Sequence, residues 1–393
     1  MTPLPISHYT LCTALGAGLA PTLRALQANR SGLSPERFLD VDLPTWLGVV
    51  PGLDPVRLPA GMDSFDCRNN RLAWLGLQTD GFADAVRAAR SRWGAHRVAV
   101  LLGTSTSGLL ETELAYRRRA PDGALPADFD YAHTQNTYSL GAFVSQALGL
   151  QGPCWVVSTA CSSSAKVFGS AARLIEAGLI DAALVGGVDS LCLTTLYGFN
   201  ALELLSPDIC RPWDAGRRGL SIGEAAAFAL LQRDCADPQG WLLGVGESND
   251  GHHMSTPHPQ GLGAVLAMRA ALGDAGLAPE ANDYINLHGT ATPSNDSAED
   301  QAVTTVFGHG TPASSTKGAT GHTLGAAGGV EAAISLLALG HGFVPGGVNL
   351  QQADPRLRVQ YVTRSRSAPL RAVLSNSFGF GGSNASLVLG AAR

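Results

Sequence analysis

Short apolar runs that favour β-structure alternate with longer segments of helical periodicity along most of the chain. The strand-like runs are RVAVLLG (97–103), CWVVST (154–159), AALVGG (182–187), AAAFALLQR (225–233), YINLH (284–288) and AVLSNS (372–377). The helical patterns are clearest at 162–178, 264–276 and 323–340. This alternation is typical of βα units around a buried, mainly parallel sheet. We therefore predict an α/β fold, with residues 31–96 and 111–136 as insertions that decorate the core.

The length of 393 residues favours two domains or one large duplicated unit rather than a single core. Hydrophobic residues make up 45% of the chain and charged residues only 15%, which indicates a large interior. Composition changes near DCADPQG (234–240), where Asp, Pro and Gly favour a loop. The sequence therefore predicts two halves, residues 1–235 and 236–393.

Several classes of function are disfavoured by composition and motifs. A net charge of −5 gives no sign of nucleic-acid binding, and no apolar run approaches the roughly 20 residues of a membrane span. The N-terminal segment lacks the basic and apolar regions of a signal peptide, so a cytoplasmic protein is expected. The seven cysteines include no CxxC pair, and HHMSTPHP (252–259) lacks an HExxH pattern. Without a P-loop, a GxSxG elbow or a GxGxxG βαβ unit, we expect no metal and no cofactor.

Three strand-like runs end in residues suited to chemistry. CWVVSTA leads into Cys161, YINL leads into His288, and AVLSNS leads into the glycine-rich FGFGG (378–382). Ligands of open α/β sheets gather at the carboxyl ends of strands. The sequence therefore predicts one shared site at these three ends.

Cys161 stands between a strand-like run and a long helical pattern that starts with three serines. A thiol at a helix N-terminus faces free N–H groups and the positive end of the helix dipole. This placement predicts a lowered thiol pKa and a nucleophilic thiolate. The alternative is a small buried apolar residue, which is our interpretation of the other six cysteines.

Two histidines follow in segments that favour turns, His288 in NLHGTATP and His322 in STKGATGHTLGAAG. Neutral imidazole donors suit a reaction that builds negative charge on a carbonyl or enolate oxygen. Lys317 and Glu299 are candidate charged neighbours for these histidines; alternatively they form an ordinary ion pair elsewhere. The FGFGG loop could supply a backbone N–H donor opposite Cys161.

Together these segments resemble the β-ketoacyl-[acyl carrier protein] synthases, the elongating condensing enzymes. The resemblance is strongest over 154–235 and 281–390. It rests on STACSSSA around Cys161, HGTATP at His288, STKGATGHTLGAAG with Lys317 and His322, and NSFGFGGSNA near the C-terminus.

The resemblance implies the thiolase fold, with duplicated βαβαβαβ halves in a five-layer αβαβα arrangement. It implies that Cys161 accepts the acyl chain, and that His288 and His322 promote decarboxylation of malonyl-carrier protein. The resemblance also implies that Lys317 and Glu299 support the histidines. It implies an oxyanion hole made of the backbone N–H groups of Cys161 and Phe380, with the Phe380 ring as a gate. The implied substrate-binding residues are Thr290, Thr292, Phe378 and Gly381. The pathway could be fatty-acid, polyketide or polyene synthesis.

The resemblance also implies partners, namely an acidic acyl carrier protein and a second subunit, identical or related. Candidate docking cations are Arg68, Arg71, Arg118 and Arg119. A thiolase would need a second cysteine late in the chain, yet none follows Cys235, and a CoA-using priming synthase would have Asn where His322 stands. The remaining alternative is a chain-length partner subunit of a heterodimer, although such subunits usually lose the nucleophile.

Overall fold

The computed structural model describes residues 1–35 and 37–392. The first half of the chain forms a five-stranded sheet in the order β3-β2-β4-β5-β1. Its strands are β1 (Leu4–Thr13), β2 (Val98–Gly103), β3 (Cys154–Val157), β4 (Ala182–Asp189) and β5 (Ala225–Gln232). β2 pairs in parallel with β3 and β4, whereas β5 is antiparallel to both β4 and β1.

The second half repeats this arrangement in the order β8-β7-β9-β10-β6. Its strands are β6 (Gly240–Asn249), β7 (Tyr284–Asn286), β8 (Pro312–Ser314), β9 (Ala372–Gly379) and β10 (Ser383–Ala391). β7 is parallel to β8 and β9, whereas β10 is antiparallel to β9 and β6. Equal strand order and equal directions in both halves confirm the predicted duplication.

The two sheets join where β1 pairs with β6, from Leu4 opposite Leu242 to Ile6 opposite Gly240. Additional two-residue strands lie outside the repeat, at Gly16–Ala17, Leu47–Gly48, Ile222–Gly223, Phe343–Val344, Gln360–Tyr361 and Arg366–Ser367. The predicted parallel pairing is present for β2, β3 and β4 and for β7, β8 and β9, whereas β5 and β10 run antiparallel to their neighbours, which the sequence did not predict. A strand buried on both faces is continuously apolar whatever its direction, so its sequence carries no directional signal.

Helices cover both faces of each sheet. They are α1 (Leu19–Gln27), α2 (Arg68–Leu77), α3 (Phe82–Trp93), α4 (Leu109–Arg117), α5 (Tyr138–Leu148), α6 (Ser163–Glu176), α7 (Leu193–Ala201), α8 (Leu262–Ala275), α9 (Pro293–Phe307), α10 (Lys317–Thr320) and α11 (Ala327–His341). Short helical turns occur at Asp63–Phe65, Ala95–Arg97, Tyr131–Gln135, Pro279–Ala281, Leu324–Ala326 and Phe380–Gly382.

The helices and sheets form five layers, as shown by the hydrophobic cores that the helices share with the faces of the sheets. α6 and α11 pack between the two sheets, where Phe168 and Ile334 share one core with strands of both halves. α2, α3 and α5 cover the outer face of the first sheet, and α8 and α9 cover that of the second. In β4 the alternate residues Ala183 and Val185 face the central helices, as the two-residue period of a strand requires. The structure thus has the αβαβα order of the thiolase fold.

The segment 31–96 is more than a decoration of the core. Its helices α2 and α3 form part of the outer layer, where Leu72, Leu77 and Phe82 are fully buried. The polar and charged residues around these helices obscured their apolar faces in the sequence.

One helical stretch within the described residues, Leu324–His341, is long and apolar enough to cross a membrane, but 89% of it is buried in the protein. It comprises α11 and the turn before it, and these lie at the centre of the fold between the two sheets.

Candidate active site

Cys161 lies in the tight turn between β3 and α6, with Ser162 as the residue that precedes the helix. Ala160 adopts φ of +51°, a left-handed conformation that is uncommon for a residue with a side chain. The turn packs closely on β2, since a Cβ atom on Gly103 would lie 2.4 Å from the main-chain nitrogen of Ser164. The sulfur therefore sits at the N-terminus of α6, as predicted, and the residue is buried.

The predicted lowering of the Cys161 pKa was wrong. Burial raises the pKa of this thiol to about 11, while the charge of Lys317 and the backbone N–H of Phe380 act in the opposite direction. The thiol is therefore the resting form at neutral pH. Removal of water outweighs the favourable helix terminus here, because a thiolate loses its hydration in a closed site.

His322 contacts the thiol directly, with Nε2 at 3.0 Å from Sγ of Cys161. The other ring nitrogen, Nδ1, accepts a hydrogen bond from the backbone N–H of Leu324 at 3.2 Å. A nitrogen that accepts carries no proton, so the proton of the neutral ring is on Nε2. His322 thus presents an N–H donor to the sulfur.

His288 has the same tautomer for a different reason. The ammonium of Lys317 lies 3.4 Å from Nδ1 of His288 and also donates to the main-chain carbonyl of His288. An ammonium only donates, so Nδ1 accepts and Nε2 of His288 carries the proton. The His288 and His322 rings are nearly perpendicular, with centroids 5.4 Å apart. One ligand atom each of Cys161, His288 and His322 lies within 4.8 Å of the others.

Both histidines are neutral at physiological pH. Burial, and next the nearby charge of Lys317, lowers the pKa of each well below 6.5. Cys, His and His at these distances could hold a metal ion by spacing alone, but a metal needs an unprotonated nitrogen. Because Leu324 and Lys317 donate to the Nδ1 atoms, both Nε2 atoms are protonated, which does not fit a resident metal.

Lys317 forms a buried ion pair with Glu331 of α11, and not with Glu299. Glu299 instead accepts from the backbone N–H groups of His288 at 2.8 Å and Gly289 at 2.7 Å. Burial raises the pKa of Glu299 to about 7. Both predicted neighbours therefore lie beside His288, Lys317 at its ring and Glu299 at its main chain.

Glu331 was missed in the sequence analysis. Its one available signal was a lone charge within the apolar run GGVEAAISLLAL. A charge in such a run stays buried only when it has a partner. The sequence does not show that this partner is Lys317.

The FGFGG loop closes over the thiol from β9. The backbone N–H of Phe380 lies near the sulfur of Cys161 and opposes the rise of the thiol pKa, and the Phe380 ring packs on that of Phe199 with centroids 5.6 Å apart. Phe378 lies beside His288, with ring centroids 5.9 Å apart. The N–H of Gly381 donates to the carbonyl of Met254 and so faces away from the thiol.

A cleft with about 570 Å³ of empty space leads from the surface to the thiol. Its lining includes Cys161, His288 and His322 together with Phe378 and Phe380, but not Gly381. Thr290 and Thr292 line the same cleft, with their hydroxyls 2.9 Å apart. The predicted convergence of the three strand ends on one site is therefore confirmed by the geometry.

Two family models match the chain. "Beta-ketoacyl synthase, N-terminal domain" matches residues 58–236, and "Beta-ketoacyl synthase, C-terminal domain" matches residues 240–351. The chain belongs to the β-ketoacyl synthase family.

Individual members of the β-ketoacyl synthase family match over most of the chain. It is 33% identical to 3-oxoacyl-[acyl-carrier-protein] synthase 2 of Coxiella burnetii over 414 residues, covering 98% of this chain and 97% of that protein. It is 42% identical to the mitochondrial 3-oxoacyl-[acyl-carrier-protein] synthase of Arabidopsis thaliana over 266 residues, 62% of this chain and 58% of that one. A solved complex of the ketosynthase ApeO with its chain length factor ApeC, from Xenorhabdus doucetiae, matches with a TM-score of 0.91 and 38% identity. That match covers 99% of this chain and 98% of the other, which confirms the thiolase-type ketosynthase fold.

The four arginines singled out for docking in this β-ketoacyl synthase differ in their surroundings. Arg68 is mostly buried, because its guanidinium contacts Glu224 at 2.7 Å. Arg71 pairs with Asp66 at the surface. Arg118 and Arg119 are exposed on the segment after α4; Arg118 pairs with Asp128 at 3.0 Å, and Arg119 lies over the ring of Tyr116.

Proposed function

We propose that this β-ketoacyl synthase joins an acyl chain held on Cys161 to the two-carbon unit of malonyl-[acyl carrier protein]. The observation that carries the proposal is that two histidines, His288 and His322, carry their ring protons on the nitrogen atoms that belong to the cleft. The Nε2–H groups of His288 and His322 are fixed by donors behind the rings, and both belong to the cleft that contains the thiol. A cleft with one nucleophile and two neutral donors suits acyl transfer followed by carbanion formation.

In the first step, the sulfur of Cys161 attacks the carbonyl carbon of an acyl-carrier thioester. The bond to the carrier sulfur breaks, the carrier leaves with the thiol proton, and an acyl-cysteine remains. The oxyanion of the tetrahedral intermediate accepts from the backbone N–H groups of Cys161 and Phe380. The N–H of Phe380 already acts on the sulfur in the free protein, because it lowers the pKa of the thiol against the effect of burial.

In the second step, malonyl-carrier protein loses CO₂, and the electron pair of the broken C–C bond forms an enolate. His288 and His322 donate to the enolate oxygen from Nε2, and neutral rings serve because they need no proton loss to donate. The enolate carbon then attacks the acyl carbonyl and Cys161 leaves as thiolate. The product is a β-ketoacyl chain two carbons longer, still on the carrier.

The remaining cleft residues have supporting roles in the proposal. Lys317 holds the ring of His288 and Glu299 holds its main chain. Thr290 and Thr292 present hydroxyls to the polar arm that carries the substrate, and Phe378 forms part of the wall. Phe380 gates the thiol, since its ring rests on Phe199 in the cleft wall.

We further propose an acyl carrier protein as the substrate donor, docked by arginines on the protein surface. Arg71, Arg118 and Arg119 keep guanidinium surface that an acidic carrier could reach. Arg68 is not included in the proposed docking surface, because its guanidinium forms an ion pair with the buried carboxylate of Glu224. Surface ion pairs such as Arg118–Asp128 are weak enough to exchange partners.

A second ketosynthase-like subunit is the other proposed partner. Strand β3 is the outer strand of its sheet among the described residues, and Trp155 on it is 36% exposed. Exposed aromatic residues accompany it on neighbouring elements, at Tyr116, Tyr131, Tyr138 and Tyr197. An open strand edge with exposed aromatic groups favours protein association. The ApeO–ApeC complex, in which a ketosynthase is bound to a chain length factor, supports a related partner here.

The domain boundary and the location complete the proposal. Two functional halves, 1–235 and 236–393, are supported by family models that meet between residues 236 and 240. A cytoplasmic location is supported by seven cysteines that all carry free thiols.

The experiment that tests the proposed function is intact-protein mass spectrometry with a panel of acyl-carrier thioesters, followed by malonyl-carrier protein. Wild type should gain the acyl mass, which should then disappear as a ketoacyl product forms; Cys161→Ala should gain nothing. Each donor is tested with the chain alone and with a candidate partner subunit. If no adduct forms under any of these conditions, the proposal fails and the chain-length subunit replaces it.

A further inference from the structure

A buried carboxylate that takes no part in the proposed chemistry accepts hydrogen bonds from five donor groups behind the site. Asp189 ends strand β4, and its Oδ1 accepts from the hydroxyls of Thr104 and Thr106 and from the backbone N–H groups of Ser105 and Thr106. Its Oδ2 accepts from the backbone N–H of Gly325 at 2.5 Å and shares the N–H of Ser105 at 3.0 Å. The side chain is fully buried.

The Gly325 bond crosses between the two halves of the molecule. Asp189 belongs to the first half, which also carries Cys161, whereas Gly325 belongs to the second half and follows His322 by three residues. The contact between His322 and Cys161 crosses the same boundary. A bond from Asp189 to Gly325 therefore fixes the His322 loop relative to the half that carries the nucleophile.

The turn that Asp189 holds has a strained backbone. Leu324 adopts φ of +53°, which a leucine seldom does, and its N–H is the group that donates to Nδ1 of His322. Such a conformation is unfavourable for a residue with a side chain and persists only where surrounding contacts enforce it. The hydrogen bond from the next residue, Gly325, to Asp189 is such a contact.

We propose that Asp189 is a positioning residue that holds the Leu324–Gly325 turn, so that Leu324 keeps the proton of His322 on Nε2 and aimed at Cys161. This inference rests on the proposed role of His322 in decarboxylation and condensation. Asp189 touches neither substrate nor sulfur; it acts through the turn. Without it the turn relaxes, and the His322 ring populates both tautomers.

The test is Asp189→Asn. The amide oxygen of the asparagine can still accept the hydrogen bonds from Thr104 and Thr106. Its NH₂ group then faces the N–H of Gly325, and two donors cannot form a hydrogen bond with each other. The matched control is Asp214→Asn, since Asp214 is another buried aspartate that accepts backbone N–H groups, those of Gly216, Gln351 and Gln352. Asp214 makes no contact with the His322 turn among these bonds. The two variants therefore make the same substitution, from aspartate to asparagine, at one site that contacts the His322 turn and at one site that does not.

We expect Asp189→Asn to lower kcat for condensation by about tenfold or more with little change in the carrier KM, as a misplaced reacting group does. Self-acylation of Cys161, which does not need a donor at an enolate, should change by less than about threefold. Asp214→Asn should retain kcat. In ¹⁵N-histidine spectra, the ring nitrogens of His322, assigned with His322→Gln, should show a pure Nε2–H tautomer in wild type and a mixture in Asp189→Asn.

The tautomer spectrum separates failure of this inference from failure of the proposed function. If Asp189→Asn keeps the pure Nε2–H tautomer, the inference is overturned whatever the activity. If it loses kcat and self-acylation in equal proportion, Asp189 is structural and the inference is again overturned. If wild type itself does not condense, the proposed function fails, while the spectra still decide the role of Asp189. Asp189→Ser, which avoids the donor clash, replaces Asp189→Asn should the latter not fold.

Discussion

The ammonium of Lys317 lies 3.4 Å from Nδ1 of His288, inside the protein and out of contact with solvent. This single contact sets two properties of the histidine. It places the ring proton on Nε2, and its positive charge, together with burial, lowers the pKa of His288 well below 6.5. The pair therefore keeps a neutral donor in the cleft across the physiological pH range.

Removal of the Lys317 charge should make the reaction sensitive to acid. In Lys317→Met the pKa of His288 rises toward its usual value, so a larger fraction of the ring is protonated at pH 6 than at pH 8. We expect the ratio of condensation rates at pH 6 and pH 8 to fall relative to wild type. The control is Lys317→Arg, which keeps the charge and should keep the ratio. An unchanged ratio in Lys317→Met would show that burial alone keeps His288 neutral.

The thiol should react slowly at neutral pH and faster in base. Because burial raises the pKa of Cys161 to about 11, the thiolate fraction grows about tenfold per pH unit between pH 7 and 10. Alkylation of the Cys161 peptide by iodoacetamide, followed by mass spectrometry, should rise over this range without a plateau. Partly exposed Cys235 provides the internal reference peptide. A plateau below pH 8 at Cys161 would instead show that the helix terminus overcomes burial.

Replacing one partner of the Lys317–Glu331 pair should lower the free energy of unfolding more than replacing both partners. Glu331→Gln leaves a buried ammonium without its counter-charge, which destabilises a protein by about 3–5 kcal/mol. The double variant Lys317→Met with Glu331→Leu removes both charges and should lose less free energy of unfolding than Glu331→Gln alone. Urea unfolding of the single and double variants measures both values. Equal losses in the two would mean that the pair contributes through packing only.

Charge reversal should separate the docking arginines from the structural one. Arg118→Glu with Arg119→Glu is expected to raise the KM for the carrier protein, most strongly at low salt, and to leave the melting temperature nearly unchanged. Arg68→Glu should instead lower the melting temperature, because it places a second carboxylate against buried Glu224. Steady-state kinetics at two salt concentrations and thermal melts make this comparison. Unaltered KM in the Arg118/Arg119 variant would remove these residues from the docking surface.

Much of the fold could be read from local pattern, because β4, α6, α8 and β9 begin and end within a few residues of their apolar runs. The helices α2 and α3 could not, since Arg and Asn side chains interrupt their apolar faces, and the burial of Asn69 and Asn70 in α2 gives no signal in the sequence. Strand direction was also hidden, since β5 runs antiparallel to its neighbours and yet is as apolar as the parallel strands β2 and β4.

In the candidate site, too, some features could be read from the sequence and others could not. Cys161, His288 and His322 were recognisable because each follows a strand or a glycine-rich turn and together they match family motifs. The partner of Lys317 was not recognisable, because Glu299 and Glu331 both lie within a few helical turns of it in sequence and only the packing of α11 against the site selects Glu331. The burial of Arg68 was likewise not visible in the sequence, since its ion-pair partner Glu224 lies far along the chain.

Strand and helix periodicity and motif residues are local properties, so they already show in the sequence which residues lie at the ends of the strands, and hence which chemistry is available. The protonation of those residues depends on the packing of the whole molecule. The raised pKa of Cys161, the lowered pKa values of the histidines and the positions of their protons all follow from burial and from donors on other segments. Hydration loss and charge–charge distances are properties of the packed molecule, and no single segment contains them.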